Sequence, residues 1–232
     1  MAEAAGTAED DPDLQAVVAG CTASHQRLLV TLDQLDDETA RRPSQLPGWT
    51  IAHVVTHLAR NAESHVRILQ GALVGRSVEQ YPGGYEQREA DIDAGAGRPA
   101  AELVEDVRAT ARELEKTWAR MTARAWDGHG LGRGRPWPCR ELPFHRWREV
   151  ELHHVDLGLG YGYVDWPEEY VIRELPRALA TLPSRLTDGT ARRQLVAWLV
   201  GRAKDPGRME IDDWDSRQEH YFATNALPLT ES

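Results

Sequence analysis

The length, composition and charge of the chain limit what kind of protein it can be. Of its 232 residues, 41% are hydrophobic, which is enough to form a core and excludes a globally disordered chain. Its net charge of −10 argues against a nucleic-acid-binding protein, because contacts with phosphates need clustered basic side chains.

The cysteines and the apolar segments predict a soluble cytoplasmic protein with no membrane anchor. Cys21 and Cys139 are far apart and belong to no CxxC motif, so we expect two reduced thiols rather than a disulfide framework or a cysteine-rich zinc site. The acidic residues 1–13 lack the basic-then-apolar order of a signal peptide. No segment approaches the run of about 20 apolar residues that spans a bilayer.

Four long segments with apolar residues at helical spacing predict a mainly α protein. They follow residues 1–11, which have the composition of a disordered acidic tail. Thr50 is the expected N-cap of the second helix. Four long helices joined by loops indicate an antiparallel four-helix bundle over residues 12–165. The predicted helices cover residues 13–35, 51–73, 99–121 and 142–157.

The remaining segments are predicted to be loops and a small C-terminal region. Residues 80–97 contain the turn-rich sequence YPGGY and are predicted to form a loop. Residues 128–138 hold four glycines and two prolines, which predict a loop or an irregular hairpin. Residues 166–232 form the small C-terminal region, with weaker helical patterns over residues 167–182 and 192–201.

Two of the long helices carry pairs of potential metal ligands. His53 and His57 lie four residues apart on the second helix, and Glu149 and His153 lie four residues apart on the fourth. This spacing places the side chains of a pair on one helical face, about 6 Å apart, so that one helix can supply two ligands. Imidazole and carboxylate groups suit a divalent ion such as zinc. A solvent-facing histidine pair and an ordinary i, i+4 charge pair are the simpler alternatives.

Two longer segments resemble those of a known family. LPGWTIAHVVTHLARNAESHVRIL at residues 46–69 and RWREVELHHVDLGLGY at residues 146–161 resemble the signature segments of the mycothiol-dependent maleylpyruvate isomerase family. A weaker third match is WLVGRA at residues 198–203. The resemblance covers residues 12–165 and implies a DinB-like, metal-binding four-helix bundle.

The resemblance also implies which residues bind the metal. Carried over position by position, the ligands fall on His57, Glu149 and His153, and zinc is the expected ion. Three protein ligands leave positions open on the metal, as in catalytic zinc sites. A ligand histidine usually donates its second ring N–H to a carboxylate, and Asp156 is placed to accept it. The secondary candidates beside the ligands are His53, His154 and Asp156.

The function implied by the resemblance is that of an enzyme using the low-molecular-weight thiol mycothiol. The metal would favour the thiolate, which would add to the cis double bond of maleylpyruvate or a related unsaturated oxo-acid. The bond, now single, would rotate, and elimination of the thiol would restore the double bond in the trans isomer. Arg202 matches the family's catalytic arginine and would bind a substrate carboxylate. Mycothiol is made by actinobacteria with high-GC genomes, and 25 arginines against two lysines agree with such a genome.

The C-terminal region departs from the family pattern. Only 36 positions separate Trp166 from Arg202, and no strand pattern occurs between them, so we expect this region to be abbreviated or rebuilt. Two alternatives therefore stay open: a mycothiol S-transferase that joins the thiol to an electrophile, and a non-catalytic metal-binding bundle. For the enzymes, the expected partners are a small-molecule substrate and the thiol, and the expected assembly is a monomer or small homo-oligomer.

Overall fold

The computed structural model describes residues 11–186 and 188–207, most of which are helical. Residues 1–10 of the predicted acidic tail and residues 208–232 lie outside the described part of the chain. The strands are β1 (His129–Gly132) and β2 (Arg135–Pro138). The helices are α1 (Pro12–Leu32), α2 (Asp37–Ala40), α3 (Ile51–Leu73), α4 (Gly84–Gly95), α5 (Ala100–Arg120), α6 (Ala123–Trp126), α7 (Leu142–Asp156), α8 (Glu168–Arg185) and α9 (Gly189–Leu199).

Helices α1, α3, α5 and α7 form a four-helix bundle. Helix α3 packs against α5 and α7, and α1 packs against the same two helices, so that their apolar faces enclose one core. Removal of these faces from water stabilises the bundle by about 25 cal/mol per Å² of apolar surface. The mainly α bundle predicted from the sequence is thus confirmed. The aliphatic core residues include Leu28, Leu32, Val54, Val55, Leu58, Leu103, Val107 and Val150.

A capping box fixes the start of α3 and orients its first histidine. Oγ1 of Thr50 accepts a hydrogen bond of 3.4 Å from the backbone N–H of His53, and the backbone N–H of Thr50 donates to Nδ1 of His53 over 3.2 Å. Two backbone groups that a helix start would leave unpaired are thereby satisfied. His57 lies one turn after His53, on the part of α3 that the bundle encloses.

Helix α4 corrects the sequence prediction, which placed a loop over residues 80–97. Within α4 the buried residues are Arg88 and Ile92, one turn apart, and the other residues are polar or small. One buried aliphatic side chain is too little to give a periodic apolar signal, so the pattern at residues 80–97 indicated a loop. The helix packs against α3 and brings the Arg88 side chain into the bundle.

Residues 129–138 form a hairpin, one of the two forms predicted for this glycine-rich segment. β1 and β2 pair in antiparallel fashion, with His129 opposite Pro138. The turn between them places Arg133 and Gly134 at positive φ, a conformation that favours glycine. Gly130 lies directly against α3, where a Cβ would approach the side chain of Ile68 to 2.5 Å. The absence of that Cβ lets the hairpin pack against the bundle.

The chain divides into two compact units, Met1–Tyr170 and Val171–Ser232. The first unit contains the bundle and the hairpin. In the second unit, the described residues form most of α8 and all of α9, and Leu186, Ala191 and Leu195 pack together in a small core. Within residues 11–186 and 188–207, no helix combines the length and the apolar character needed to cross a membrane.

Candidate metal centre

Three buried side chains from α3 and α7 that could each offer a metal ligand converge in the core of the bundle. Nε2 of His57 lies 2.9 Å from Oε2 of Glu149 and 3.0 Å from Nε2 of His153. Oε2 of Glu149 lies 3.5 Å from Nε2 of His153. Within the described residues, these side chains are the one group of three histidine, cysteine or carboxylate ligands that could share a metal ion.

Burial and mutual contacts set the charges of these groups. Burial alone would raise the pKa of Glu149, but its contacts with His153 and His57 outweigh burial and hold the pKa well below its usual value. Burial alone would lower the pKa of His153, whereas its hydrogen bonds to Asp156 and Glu149 raise the pKa to about 9. The centre therefore contains a buried carboxylate that requires a positive partner.

The two histidines of the centre have opposite partners at Nδ1. Nδ1 of His153 donates to Oδ2 of Asp156 over 2.8 Å, which leaves Nε2 facing the other ligands. At His57, Nη2 of Arg88 donates to Nδ1 over 2.9 Å. Burial, followed by the charge of Arg88, lowers the pKa of His57 to about 3, so this imidazole is neutral at pH 7.

The segments that supply the centre match a known family. A family model described as the mycothiol maleylpyruvate isomerase N-terminal domain matches residues 21–158, more than half of the chain. The chain belongs to this family. The matched range contains residues 46–69 and most of residues 146–161, so the resemblance read from these segments is confirmed.

Two solved structures show the same fold. They are crystal structures of a mycothiol-dependent maleylpyruvate isomerase and of a histidine-to-alanine mutant, each 26% identical to this chain with a TM-score of 0.66. The first alignment covers 82% of this chain and 75% of the other, and the alignment with the mutant covers 76% and 71%. The DinB-like fold class is confirmed by this likeness. No curated protein sequence matches the chain significantly.

The family's HxxxH pair is divided between two roles in this chain. His57 is wholly buried, which contradicts the alternative of a solvent-facing pair, whereas 23% of the His53 side chain is exposed. His53 uses Nδ1 to cap α3 with Thr50, and its Nε2 lies 3.6 Å from Oδ1 of Asp93. His53 therefore positions the start of α3, while His57 faces Glu149 and His153 on α7.

His154 faces a different part of the bundle from its neighbour His153. Its Nε2 lies 2.7 Å from Oγ1 of Thr31 on α1, and its ring stacks on Tyr161 with centroids 3.8 Å apart. Because successive helical residues are rotated by about 100°, two adjacent histidines of α7 cannot both face α3. The structure thus joins Asp156 to the centre and places His154 on another surface of the helix.

Arg88 is a residue of the centre that the sequence analysis missed. It lies 31 residues after His57, in a segment predicted as a loop, and no motif links the two positions. Its side chain is buried, with 2% of its surface exposed. The weak signal in the sequence is Ile92, which follows Arg88 by one helical turn and packs on the same side of α4.

A second buried arginine fixes the register between α3 and α7. Nη1 of Arg146 donates to the carbonyl of Leu58 and to Oδ1 of Asn61, both over 2.8 Å. Nε of Arg146 donates to Nε2 of His25 over 3.1 Å. Loss of the partners of a buried charge is strongly destabilising, so these bonds hold α3 and α7 in place beside each other.

A buried glutamate on the opposite surface of α7 joins this helix to α1. The carboxylate of Glu151 accepts hydrogen bonds from Ser24, from Nη2 of Arg27 at 2.9 Å and from Nε1 of Trp147 at 3.0 Å. The hydroxyl of Tyr161 donates to it over 2.5 Å. With Arg146 on one side and Glu151 on the other, α7 is anchored on both faces beside the centre.

Arg202, the predicted carboxylate-binding residue, belongs to the second compact unit. It lies just after α9, its side chain is exposed, and its Nη1 donates to the carbonyl of Val200 over 3.2 Å. The role implied by the resemblance therefore stays a prediction for this residue.

Proposed function

We propose that the protein is a metal- and mycothiol-dependent enzyme that converts maleylpyruvate, or a related unsaturated oxo-acid, from the cis to the trans isomer. The observation that carries the proposal is the convergence of His57, Glu149 and His153 inside the bundle that matches the family. The two structural relatives are described as a mycothiol-dependent maleylpyruvate isomerase, which supports the same reaction class here.

The donor set fits a divalent ion, with zinc the preferred candidate. Two imidazole nitrogens and one carboxylate oxygen occur as the protein ligands of catalytic zinc sites, which keep a further position for water or substrate. Asp156 holds His153 in the manner typical of a histidine that binds zinc. We propose that His57, Glu149 and His153 hold the ion. When bound, it supplies a Lewis acid and favours a thiolate next to it.

The state of the chain's own thiols supports the use of an external thiol. Cys21 and Cys139 are both buried and free. Burial raises the pKa of Cys139 to about 11 and raises the pKa of Cys21 even further. A thiol that keeps its proton at pH 7 is a poor nucleophile, so a thiolate reaction in this protein needs a thiol from solution. Mycothiol is the thiol that the family name indicates.

The protein's own groups prepare the centre for an anionic reactant. Arg88 brings a buried positive charge to the surroundings of His57, although the chain as a whole is acidic. Trp49 lies against the same histidine, with ring centroids 5.7 Å apart. We propose that Arg202 binds a carboxylate of the substrate through its planar guanidinium.

The proposed partners follow from this chemistry. They are a small oxo-acid substrate and a low-molecular-weight thiol, both of which we place in the cytoplasm together with the protein. The acidic net charge continues to disfavour nucleic acid as a partner.

A mycothiol S-transferase is the second candidate function. The family model ends at residue 158, so the C-terminal residues, including Arg202, lie outside the matched range. The same metal and thiol would serve both reactions, and the two differ in whether the thiol leaves again. An electrophile that retains the thiol would be conjugated, as in detoxification or natural-product synthesis.

The test is an assay of the zinc-loaded protein with mycothiol and maleylpyruvate, followed by absorbance and mass spectrometry. We expect trans product that requires the thiol, and loss of that product in His57→Ala. His129→Ala is the control, because His129 is an exposed histidine on the hairpin. Zinc-loaded protein that gives no trans product would contradict the isomerase. A stable thiol adduct would instead favour the transferase.

A further inference from the structure

Arg88 approaches the candidate centre from the Nδ1 side of the His57 ring. Its guanidinium lies against the ring of Tyr81, with Cζ 5.6 Å from the ring centroid, and its Nη2 lies 2.9 Å from Nδ1 of His57. A guanidinium has N–H donors and no acceptor, so Nδ1 must accept in this contact. This reverses the usual arrangement, in which the outer nitrogen of a metal-binding histidine donates to a carboxylate or a carbonyl.

The contact with Arg88 decides which ring nitrogen of His57 carries the hydrogen. A neutral imidazole has one N–H and one lone pair. Because Nδ1 accepts from Arg88, the hydrogen lies on Nε2, which faces Oε2 of Glu149 at 2.9 Å. A neutral His153 has the opposite arrangement, since its Nδ1–H donates to Asp156 and the lone pair then lies on Nε2.

We propose that Arg88 is a positioning residue that holds His57 in the tautomer unfavourable for metal binding and thereby lowers the affinity of the centre for divalent cations. A metal at Nε2 needs the lone pair of that nitrogen, so the hydrogen must move to Nδ1, where Arg88 offers no acceptor. The positive charge of Arg88 beside the ligand also opposes a divalent cation. This inference rests on the proposed metal centre and adds a residue that regulates its loading.

The structure contains acceptors that the guanidinium of Arg88 can contact when it leaves His57. A cavity of about 60 Å³ lies next to Arg88, between α3 and the start of α4. Its lining includes Glu63 and Asp91, whose carboxylates can accept hydrogen bonds from a guanidinium, and Ser64. Movement of Arg88 toward these acceptors would release Nδ1 of His57 without exposing the arginine fully to solvent.

Zinc affinity of Arg88 variants tests the proposal. Arg88→Gln supplies an amide oxygen that can accept from Nδ1–H, so we expect its Kd for zinc to fall about 10-fold or more, in line with the size of outer-sphere effects. Arg88→Lys keeps the charge and the donor and should bind zinc as the wild type does. Arg108→Gln removes an arginine of α5 that pairs with Asp33, away from the cavity and from His57, and should also leave the Kd unchanged. Competition with a chromophoric chelator measures each Kd.

A folded Arg88→Gln protein that binds zinc with unchanged or weaker affinity would overturn the proposal. If this variant fails to fold, long-range ¹⁵N–¹H NMR spectra of the chelator-treated wild type test the proposal, because they show which ring nitrogen of each histidine carries the hydrogen. A hydrogen on Nε2 of His57 supports the proposal, and a hydrogen on Nδ1 overturns it. A wild type that binds no zinc would instead overturn the proposed function and, with it, the effect on affinity.

Discussion

Nδ1 of His153 donates a hydrogen bond of 2.8 Å to Oδ2 of Asp156, three residues later on the same helix. The carboxylate fixes the plane of the imidazole and directs its Nε2 toward His57 and Glu149. Because both partners come from α7, this contact depends on the helix alone. Such a pair increases the basicity of a ligand histidine and its hold on a metal.

Removal of the Asp156 charge should weaken metal binding. In Asp156→Asn the side chain keeps its shape, but the carboxylate that accepts from His153 is lost. We expect the Kd for zinc to rise by about 10- to 100-fold, measured by chelator competition. Asp93→Asn is the control, since Asp93 is 73% exposed and lies 3.6 Å from His53 rather than from a ligand. Equal zinc affinities of the two variants would contradict the role of Asp156.

Zinc affinity should increase with pH in the range set by His153. Its pKa of about 9 means that a proton competes with the metal for this imidazole at neutral pH. The affinity should therefore rise from pH 6.5 to pH 9 and then level off. In Asp156→Asn the main contact that raises this pKa is gone, so the affinity should level off at a lower pH than in the wild type. An affinity that is constant across this range would contradict the proton competition.

The buried neutral histidines should make the metal-free protein sensitive to acid. Burial lowers the pKa of His25 to about 4 and that of His57 to about 3, below the ordinary value of 6.5. The unfolded chain takes up these protons below pH 6.5 and the folded chain does not, so stability falls as the pH falls from 6.5 to 4. Burial of His25 accounts for a loss on the order of 3 kcal/mol over this window.

Urea unfolding of chelator-treated protein between pH 7 and pH 4.5 measures this loss. His25→Gln has no imidazole to protonate and should show a shallower fall in the free energy of unfolding than the wild type. His153 acts in the opposite direction, since its raised pKa adds stability below pH 6.5 that is lost toward pH 9. If the free energy of unfolding instead increases as the pH is lowered from 6.5 to 5, His25 and His57 are not buried as neutral groups.

The features of the candidate centre that depend on spacing along a single helix could be predicted from the sequence. The i, i+4 spacing of Glu149 and His153 fixes their common face on α7, and the capping signal at Thr50 fixes where α3 starts. Once those helices pack in a bundle, His57 comes opposite Glu149 and His153 of α7. Helical periodicity contains this information, and the family resemblance selected His57 rather than His53.

Contacts between segments that lie far apart in the chain could not be predicted from the sequence. Helix α4 has no apolar stripe, so neither the helix nor the contact of Arg88 with His57 could be predicted. The opposite surroundings of His153 and His154 depend on how α1 and α3 pack on either side of α7. Spacing along one helix says which side chains share a face, but not which partner covers that face.

The packing of α1 on α7 depends on the missing side chain of Gly20. A Cβ at this position would approach three ring atoms of Trp147 to 2.6 Å or less. In most helix interiors the substitution Gly→Ala increases the free energy of unfolding by about 0.5–1 kcal/mol. Here we expect Gly20→Ala to destabilise the protein by about 1–3 kcal/mol, because Trp147 is buried and cannot yield. Thermal and urea unfolding measure the change.

A double-mutant cycle with Trp147→Phe separates this clash from other effects. The smaller ring leaves room for the new methyl group, so Gly20→Ala should cost less in the Trp147→Phe protein than in the wild type. Equal costs in the two backgrounds would show that the clash with Trp147 is not the cause.

The metal content of wild-type protein beside Glu149→Ala tests the central claim most directly. Both proteins are purified with zinc present, freed of loosely bound ions and analysed by plasma mass spectrometry, with Glu102→Ala as a control because Glu102 is exposed in the first turn of α5, outside the centre. We expect about one zinc per chain in the wild type and in Glu102→Ala, and little or none in Glu149→Ala, which lacks the one carboxylate ligand. Equal zinc in a folded Glu149→Ala protein, or no zinc in the wild type, would contradict the assignment of His57, Glu149 and His153 as a metal centre.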